Sequence, residues 1–134
     1  MRIKFVILSF LAGFLISGHV NAEDVDSVES LRDVTTTELV HKMHDEIVGE
    51  LVRSGVSTTD AEHILFVFAE EAVDCLVDVT EQLAVARGID LDEILRDVGI
   101  DGVDAVFRDQ AEAKAVMKPC LLAATANAGL SIEW

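Results

Sequence analysis

The stretch that decides the fold is TDAEHILFVFAEEAVDCLVDVTEQLAVARG, residues 59–88. Thr59 and Glu62 have the spacing of a capping box, and Gly88 is the residue type that commonly follows a helix end. On a wheel of about 100° per residue, the polar residues of this stretch share one sector and most of the remaining circumference is apolar. A helix that is apolar on most sides is buried on most sides. The sequence therefore predicts a long central helix with other helices packed around it.

The same wheel assigns an inner and an outer side to this central helix. We expect the inner side to carry the buried residues Phe66, Phe68, Ala72, Cys75 and Val79. We expect the outer side to form one exposed negative ridge of Glu70, Asp74, Asp78 and Glu81. No Lys or Arg lies between Asp60 and Gln82 to offset these charges.

Capping signals predict further helices on both sides of the central one. Thr35 and Glu38 match a capping box, so a first helix should begin there and run to Gly55. Asp90 and Glu93 match another, so a third helix should begin there and stop at Gly99.

The last third of the sequence predicts one or two more helices. Asp101 can cap a fourth segment, and Pro119 should break it, because proline lacks the N–H that the preceding turn needs. A last helix should then occupy residues 120–128 and stop at Gly129. No segment alternates polar and β-branched residues, so we expect no sheet. The predicted fold class is all-α: a small disulfide-stapled bundle of four to five helices around a long central helix.

The chain of 134 residues divides into three parts. Residues 1–22 have the basic start, the short apolar run and the small residues before a cut after Ala22 that are typical of a cleavable secretory signal peptide. The apolar run is shorter than the roughly 20 residues that a membrane span needs. Residues 23–34 form an acidic lead segment, either a short helix or disordered, and residues 35–134 form a single helical domain. We therefore expect an exported protein with no stable membrane anchor after cleavage, periplasmic in a Gram-negative bacterium rather than fully extracellular.

Charge narrows the class of partner. The formal net charge is −15, and removal of Arg2 and Lys4 with the signal peptide would make it −17. Such a charge disfavours binding to nucleic acid and to anionic membrane surfaces, and it favours basic partners or cations. We expect a monomer or a small homo-oligomer.

The chain has two cysteines, Cys75 and Cys120, each on an apolar helix face. In an exported domain of this size, one structural disulfide between them is the expected arrangement. An intermolecular bond and two free thiols are the alternatives. A redox-active Cys-x-x-Cys pair is absent from the sequence.

Other chemistry-bearing residues form no strong motif. His41, His44 and Asp45 share one helix side and are weak candidates for a metal site, although His44 also borders the apolar stripe, where a core histidine is commoner. We therefore expect no metal and no other cofactor. Ser and Thr cluster at helix caps, and the paired carboxylates lack aromatic neighbours that would line a cleft, so we expect no catalytic residues and no enzyme.

In outline, as a compact, helical, disulfide-stapled domain, the chain resembles the small exported immunity proteins that bacteria use against cell-wall amidases. That outline transfers no site residue. The predicted function is non-catalytic binding of another protein, as an inhibitor, immunity factor or adaptor, and the alternative is a periplasmic carrier of a small ligand or metal. We expect the acidic ridge first of all to be a solvated surface; a docking face for a basic partner is the second interpretation, and weak binding of calcium or magnesium is the third.

Overall fold

A computed structural model describes residues 3–4, 25–130 and 132–133 of the chain. Its helices are α1 (Val28–Arg53), α2 (Thr58–Ala86), α3 (Leu91–Val98), a 3₁₀ helix (Ile100–Val106) and α4 (Gln110–Asn127). Strand β1 (Ile3–Lys4) pairs in parallel with β2 (Ile132–Glu133). The all-α bundle is confirmed, and the expectation of no sheet is wrong only for this two-residue pairing. The predicted signal peptide, residues 1–22, lies outside the described residues apart from β1.

The first helix begins earlier than the sequence predicted. Ser27 is its N-cap, and the hydroxyl of Ser27 accepts a hydrogen bond from the backbone N–H of Ser30 at 3.1 Å. Thr35 is therefore not a cap but an interior residue that is 1% exposed. The reason is packing: Leu31, Thr35 and Leu39 follow one another at intervals of four, so the buried stripe of α1 extends upstream of Thr35. Much of the lead segment thus belongs to α1.

The predicted central helix is confirmed as one continuous helix, α2, of 29 residues. Its cap lies two residues before the predicted Thr59, because the hydroxyl of Ser57 accepts a hydrogen bond from the N–H of Asp60 at 3.2 Å. Phe68 and Ala72 are fully buried, whereas Cys75 and Val79 are half-buried. The expected burial of Phe66 is wrong, since 49% of it is exposed. Phe66 lies four residues from two exposed glutamates, one on each side, and so belongs to an outer row of the helix.

Side-chain contacts give the direction of the helices around α2. Arg32 near the start of α1 reaches Asp74 and Asp78, while His44 farther along α1 lies 3.8 Å (Nε2–Oε2) from Glu62 near the start of α2. The two helices are therefore antiparallel.

Helix α4 is antiparallel to α2 and is bonded to it. The predicted disulfide between Cys75 and Cys120 is present, with Cα atoms 5.5 Å apart. That separation lies in the usual range for a disulfide. Where α2 ends and α4 begins, Arg87 Nη1 lies 2.6 Å from Glu112 Oε1.

The predicted break at Pro119 is wrong, because α4 runs without interruption through it. Proline has no N–H, so it leaves the carbonyl of Ala115 without its helical partner. Ala115 and Pro119 are both exposed, so water can reach that carbonyl. The buried stripe of α4 continues on both sides of Pro119, from Met117 to Leu121, and this burial holds the helix together.

The turn before α4 also differs from the prediction. Asp101 does not start an α-helix: it lies inside the 3₁₀ helix, and α4 begins only after Asp109, whose carboxylate accepts a hydrogen bond from the N–H of Glu112 at 2.8 Å. The 3₁₀ helix packs closely on α3, since a Cβ built on Gly102 would lie 2.4 Å from Cγ2 of Ile94. The predicted start of α3 at Asp90 and its end at Gly99 are confirmed.

Three threonines are buried, and they differ in hydrogen bonding. The hydroxyls of Thr80 and Thr125 each donate to the carbonyl four residues earlier, at 2.7 Å. The hydroxyl of Thr35 has no hydrogen-bond partner in the described part of the chain.

Candidate docking surface

The predicted ridge of Glu70, Asp74, Asp78 and Glu81 lies on the outer side of α2. Glu70, Asp78 and Glu81 are exposed, and Asp74 is half-buried. The helix is unbroken at Asp74, so the four carboxylates follow one another along one side of it.

The middle of the ridge is neutralised in part by a residue that the sequence reading did not consider. Arg32 of α1 reaches across and donates from Nη1 to Asp74 Oδ1 at 2.9 Å and from Nη2 to Asp78 Oδ1 at 3.0 Å. The hydrogen bond to Asp74, with that to Asp78, raises the pKa of Arg32 above its usual value. The sequence of α2 contains no Lys or Arg, as noted above, but this did not reveal the counter-ion, because Arg32 lies on a different helix. The ridge therefore has a paired centre and two ends, Glu70 and Glu81, for which no ion pair is found among the described residues.

Beyond Glu81 the ridge ends in an open groove. The groove is the space between the start of α1, the end of α2 and the start of α3, with a volume of about 520 Å³. Its described lining consists of Val28, Glu81, Val85, Gly88, Ile89, Asp90, Leu91 and Asp92.

Three local features shape the groove. Gly88 has a φ of 72°, a conformation that glycine adopts without strain, and the N–H of Ile89 returns to the carbonyl of Ala84 at 2.8 Å. This closed turn directs the chain from α2 into α3. The carboxylate of Asp92 then accepts a hydrogen bond from the N–H of Val28 at 2.8 Å, across 64 positions of sequence. Asp92 thereby fixes the first residue of α1 against α3.

The groove combines an apolar surface with an acidic rim. Val85 is 73% exposed, the largest fraction among the large apolar side chains that the structure describes. Val28 and Ile89 are half-buried, and Leu91 is buried beneath them. The rim carries three exposed carboxylates: Glu81, Asp90 and Asp92.

No lysine or arginine is found among the described lining residues. Carboxylates at the edge of an apolar depression attract cations and disfavour anions. The chemistry of the groove is therefore suited to a cationic group that has an apolar portion.

The groove was missed by the sequence analysis, although one signal for it was present. Val85 follows Glu81 by four residues, so an apolar side chain continues the acidic row at its end. The walls contributed by α1 and α3 depend on tertiary contacts, which the wheel of α2 does not contain.

The weak metal candidates do not converge in the structure. Nδ1 of His44 lies 3.3 Å from Asp45 Oδ1, and its Nε2 faces Glu62, while His41 is exposed. Within the described residues, no group of three or more His, Cys, Asp or Glu side chains is arranged to hold a metal ion.

A second charged cluster, formed by Arg87, Arg108 and Glu112, connects elements of the bundle. Glu112, whose side chain is 14% exposed, lies 2.6 Å (Oε1) from Arg87 Nη1 and 2.6 Å (Oε2) from Arg108 Nε. Hydrogen bonds from Arg87 first, and then from Arg108, lower the pKa of Glu112 to about 2. Arg87 also donates to the carbonyl of Val106, so this cluster joins the end of α2 to the start of α4.

Comparison with known proteins gives no relative. No protein-family model, no curated protein and no solved structure matches the chain. In the part of the chain that the structure describes, no helix combines the length and apolar character that crossing a membrane requires. The surface formed by the ridge and the groove is the feature from which function can be argued.

Proposed function

We propose that the chain is an exported, non-catalytic protein that binds another protein through the acidic side of its helical bundle. The observation that carries this proposal is the position of the groove: an acidic surface leads directly to an exposed apolar depression. Val85, which is 73% exposed, places apolar surface beside the carboxylates, and apolar surface rimmed by polar groups is a feature of interaction sites.

Export is supported by two independent features. Residues 1–22 have the pattern of a secretory signal peptide, and the Cys75–Cys120 disulfide is typical of an oxidising compartment. We propose the periplasm as that compartment. N-terminal sequencing of the protein from a cell-envelope fraction should begin at Glu23, and recovery of the intact chain from the cytoplasm would refute export.

A binding role is supported by how the polar residues are used. Serine and aspartate side chains cap the helices, Arg32 joins α1 to α2, and the cluster around Glu112 joins α2 to α4. These groups are engaged in holding the bundle together. The exposed carboxylates of the ridge ends and the groove rim have remaining capacity to accept hydrogen bonds from a partner.

The test is affinity capture from the cell envelope, using the exported, oxidised protein as bait. Glu70→Gln/Glu81→Gln removes the ridge-end charges for which the described residues provide no counter-ion, and so leaves no arginine unpaired. Glu46→Gln/Asp97→Asn, two exposed acids on α1 and α3, is the matched control with the same change of charge.

For the captured partner, the ridge variant should associate more slowly and with a weaker dependence on salt, because long-range charge acts on the association rate. The control should behave like the wild type. If the wild-type bait captures no specific protein, the proposed function fails. If the ridge variant and the control associate with the partner at equal rates, the ridge serves only as a solubilising surface.

A further inference from the structure

Resting on the proposed function, we infer that the groove is the site where the partner docks, and that its occupant is a short protein segment presenting a lysine or arginine beside an apolar side chain. The described lining combines the apolar residues Val28, Val85, Ile89 and Leu91 with the carboxylates of Glu81, Asp90 and Asp92. Exposed apolar surface of this kind, bordered by polar groups, marks interaction sites.

The size of the groove limits the occupant. A volume of about 520 Å³ lies within the roughly 300–1,000 Å³ of sites that enclose small ligands. It accommodates a few side chains. The occupant is therefore a local segment that inserts one or two side chains into the groove.

The carboxylates decide the charge of the occupant. Asp90 accepts from the N–H of Glu93, and Asp92 accepts from the N–H of Val28, so each has lone pairs left for a donor from outside. Glu81 has no hydrogen bond among the described residues. A lysine or arginine side chain matches this surface because its methylene stem packs on apolar groups while its charged end remains at the rim.

The binding test uses the exported, oxidised protein and a defined probe, the peptide acetyl-Lys-Leu-Lys-Leu-Lys-Leu-amide. Its comparators are acetyl-Glu-Leu-Glu-Leu-Glu-Leu-amide and the small cation spermidine. Amide chemical shifts measured by NMR during titration locate the contact and give the dissociation constant. We expect shifts centred on Val28, Val85, Ile89 and Leu91 with the basic peptide, and at least about tenfold weaker binding of the acidic peptide.

Matched variants separate the groove from the rest of the acidic surface. Val85→Lys places a cation in the groove, and Val98→Lys places the same residue on α3 at a valine that is 57% exposed and does not line the groove. Both sites are exposed, so neither variant removes core packing. We expect Val85→Lys to lower the affinity for the basic peptide and for any captured partner by about tenfold or more. Val98→Lys should change these affinities by less than about twofold.

A second matched pair tests the charge at the rim. Glu81→Gln should weaken binding by about threefold to fivefold, the effect of one partly screened charge, and Glu70→Gln, on the same helix but outside the groove, by less than about twofold.

Each contrary result overturns a distinct part of the inference. If a captured partner binds Val85→Lys as well as it binds the wild type, the groove is not the docking site, and the proposed function stays intact. Spermidine binding as tightly as the basic peptide would replace the protein segment with a small cationic ligand, and equal binding of the acidic peptide would overturn the charge argument. Failure to capture any protein would instead remove the proposed function itself.

Discussion

Removing the Cys75–Cys120 disulfide should destabilise the protein by about 4 kcal/mol at 25 °C. The bond closes a loop across 45 positions of sequence, and in the chain-entropy model a loop of that length restricts the unfolded chain by roughly this amount. For a chain of this size, each kcal/mol shifts Tm by about 4 °C, so Cys75→Ala/Cys120→Ala should lower Tm by about 15 °C. The folded helices remain packed without the bond, so helix content by circular dichroism at low temperature should not change.

Urea unfolding of the oxidised protein and of three variants measures this effect. Cys75→Ala, Cys120→Ala and the double variant should lose nearly the same free energy of unfolding, because either single change already removes the cross-link. The urea m-value should rise in all three, since an unfolded chain without the cross-link exposes more surface. A loss below about 1 kcal/mol, or an unchanged m-value, would refute the idea that the bond acts through the unfolded chain.

Further predictions concern three positions at which the structure makes specific demands. Thr35→Val should raise the free energy of unfolding by about 1 kcal/mol, because it removes a buried hydroxyl that lacks a described partner. Thr80→Val removes a formed hydrogen bond and should not stabilise the protein. Stabilisation by both variants would contradict this difference between the two hydroxyls. Gly102→Ala should lower the free energy of unfolding by about 1–3 kcal/mol through overpacking. Gly49→Ala, in a helix with room for a Cβ, should raise it by about 0.5–1 kcal/mol. Equal effects of the two variants in chemical denaturation would rule out the close contact at Gly102. The pKa of Glu112 is lowered from 4.5 to about 2, so its contribution to stability is complete above about pH 4.5 and is lost as the pH falls towards 2. Glu112→Gln should therefore flatten the measured fall in stability across that range, and an equally steep fall would show that other carboxylates cause it.

Features fixed by local sequence were predictable. The start of α3 at Asp90 and its stop at Gly99 depend on residues within a few positions of each other, and both were predicted. The length of α2 and the pairing of its cysteine also follow from one helical wheel and the cysteine count.

Features decided by competition with packing were not predictable in the same way. Two capping motifs lie near the start of α1, and the one at Ser27 prevails because burial of the Leu31 and Thr35 stripe extends the helix. At Pro119 the backbone preference for a break is opposed by a buried stripe that continues past it, and the stripe prevails.

The candidate site was predictable only in part, because it is assembled by distant contacts. The acidic row of α2 could be read from the wheel, but its counter-ion Arg32 comes from another helix. The groove depends on Asp92 meeting Val28, a contact across 64 positions that no local pattern records.

The disulfide also sets how the protein would respond to mechanical force. It bonds α2 to α4, whereas α1 is held to the bundle by packing and by polar contacts such as those of Arg32 and Asp92. A pull applied at the two chain ends cannot extend the 45-position loop between the cysteines, so about 160 Å of contour length stays locked until the bond is reduced. Such a pull can detach and straighten α1, and it can unwind the part of α4 that follows Cys120. Detachment of α1 removes one wall of the groove. Tension on the chain would therefore open the groove while the cross-linked pair of helices stayed joined.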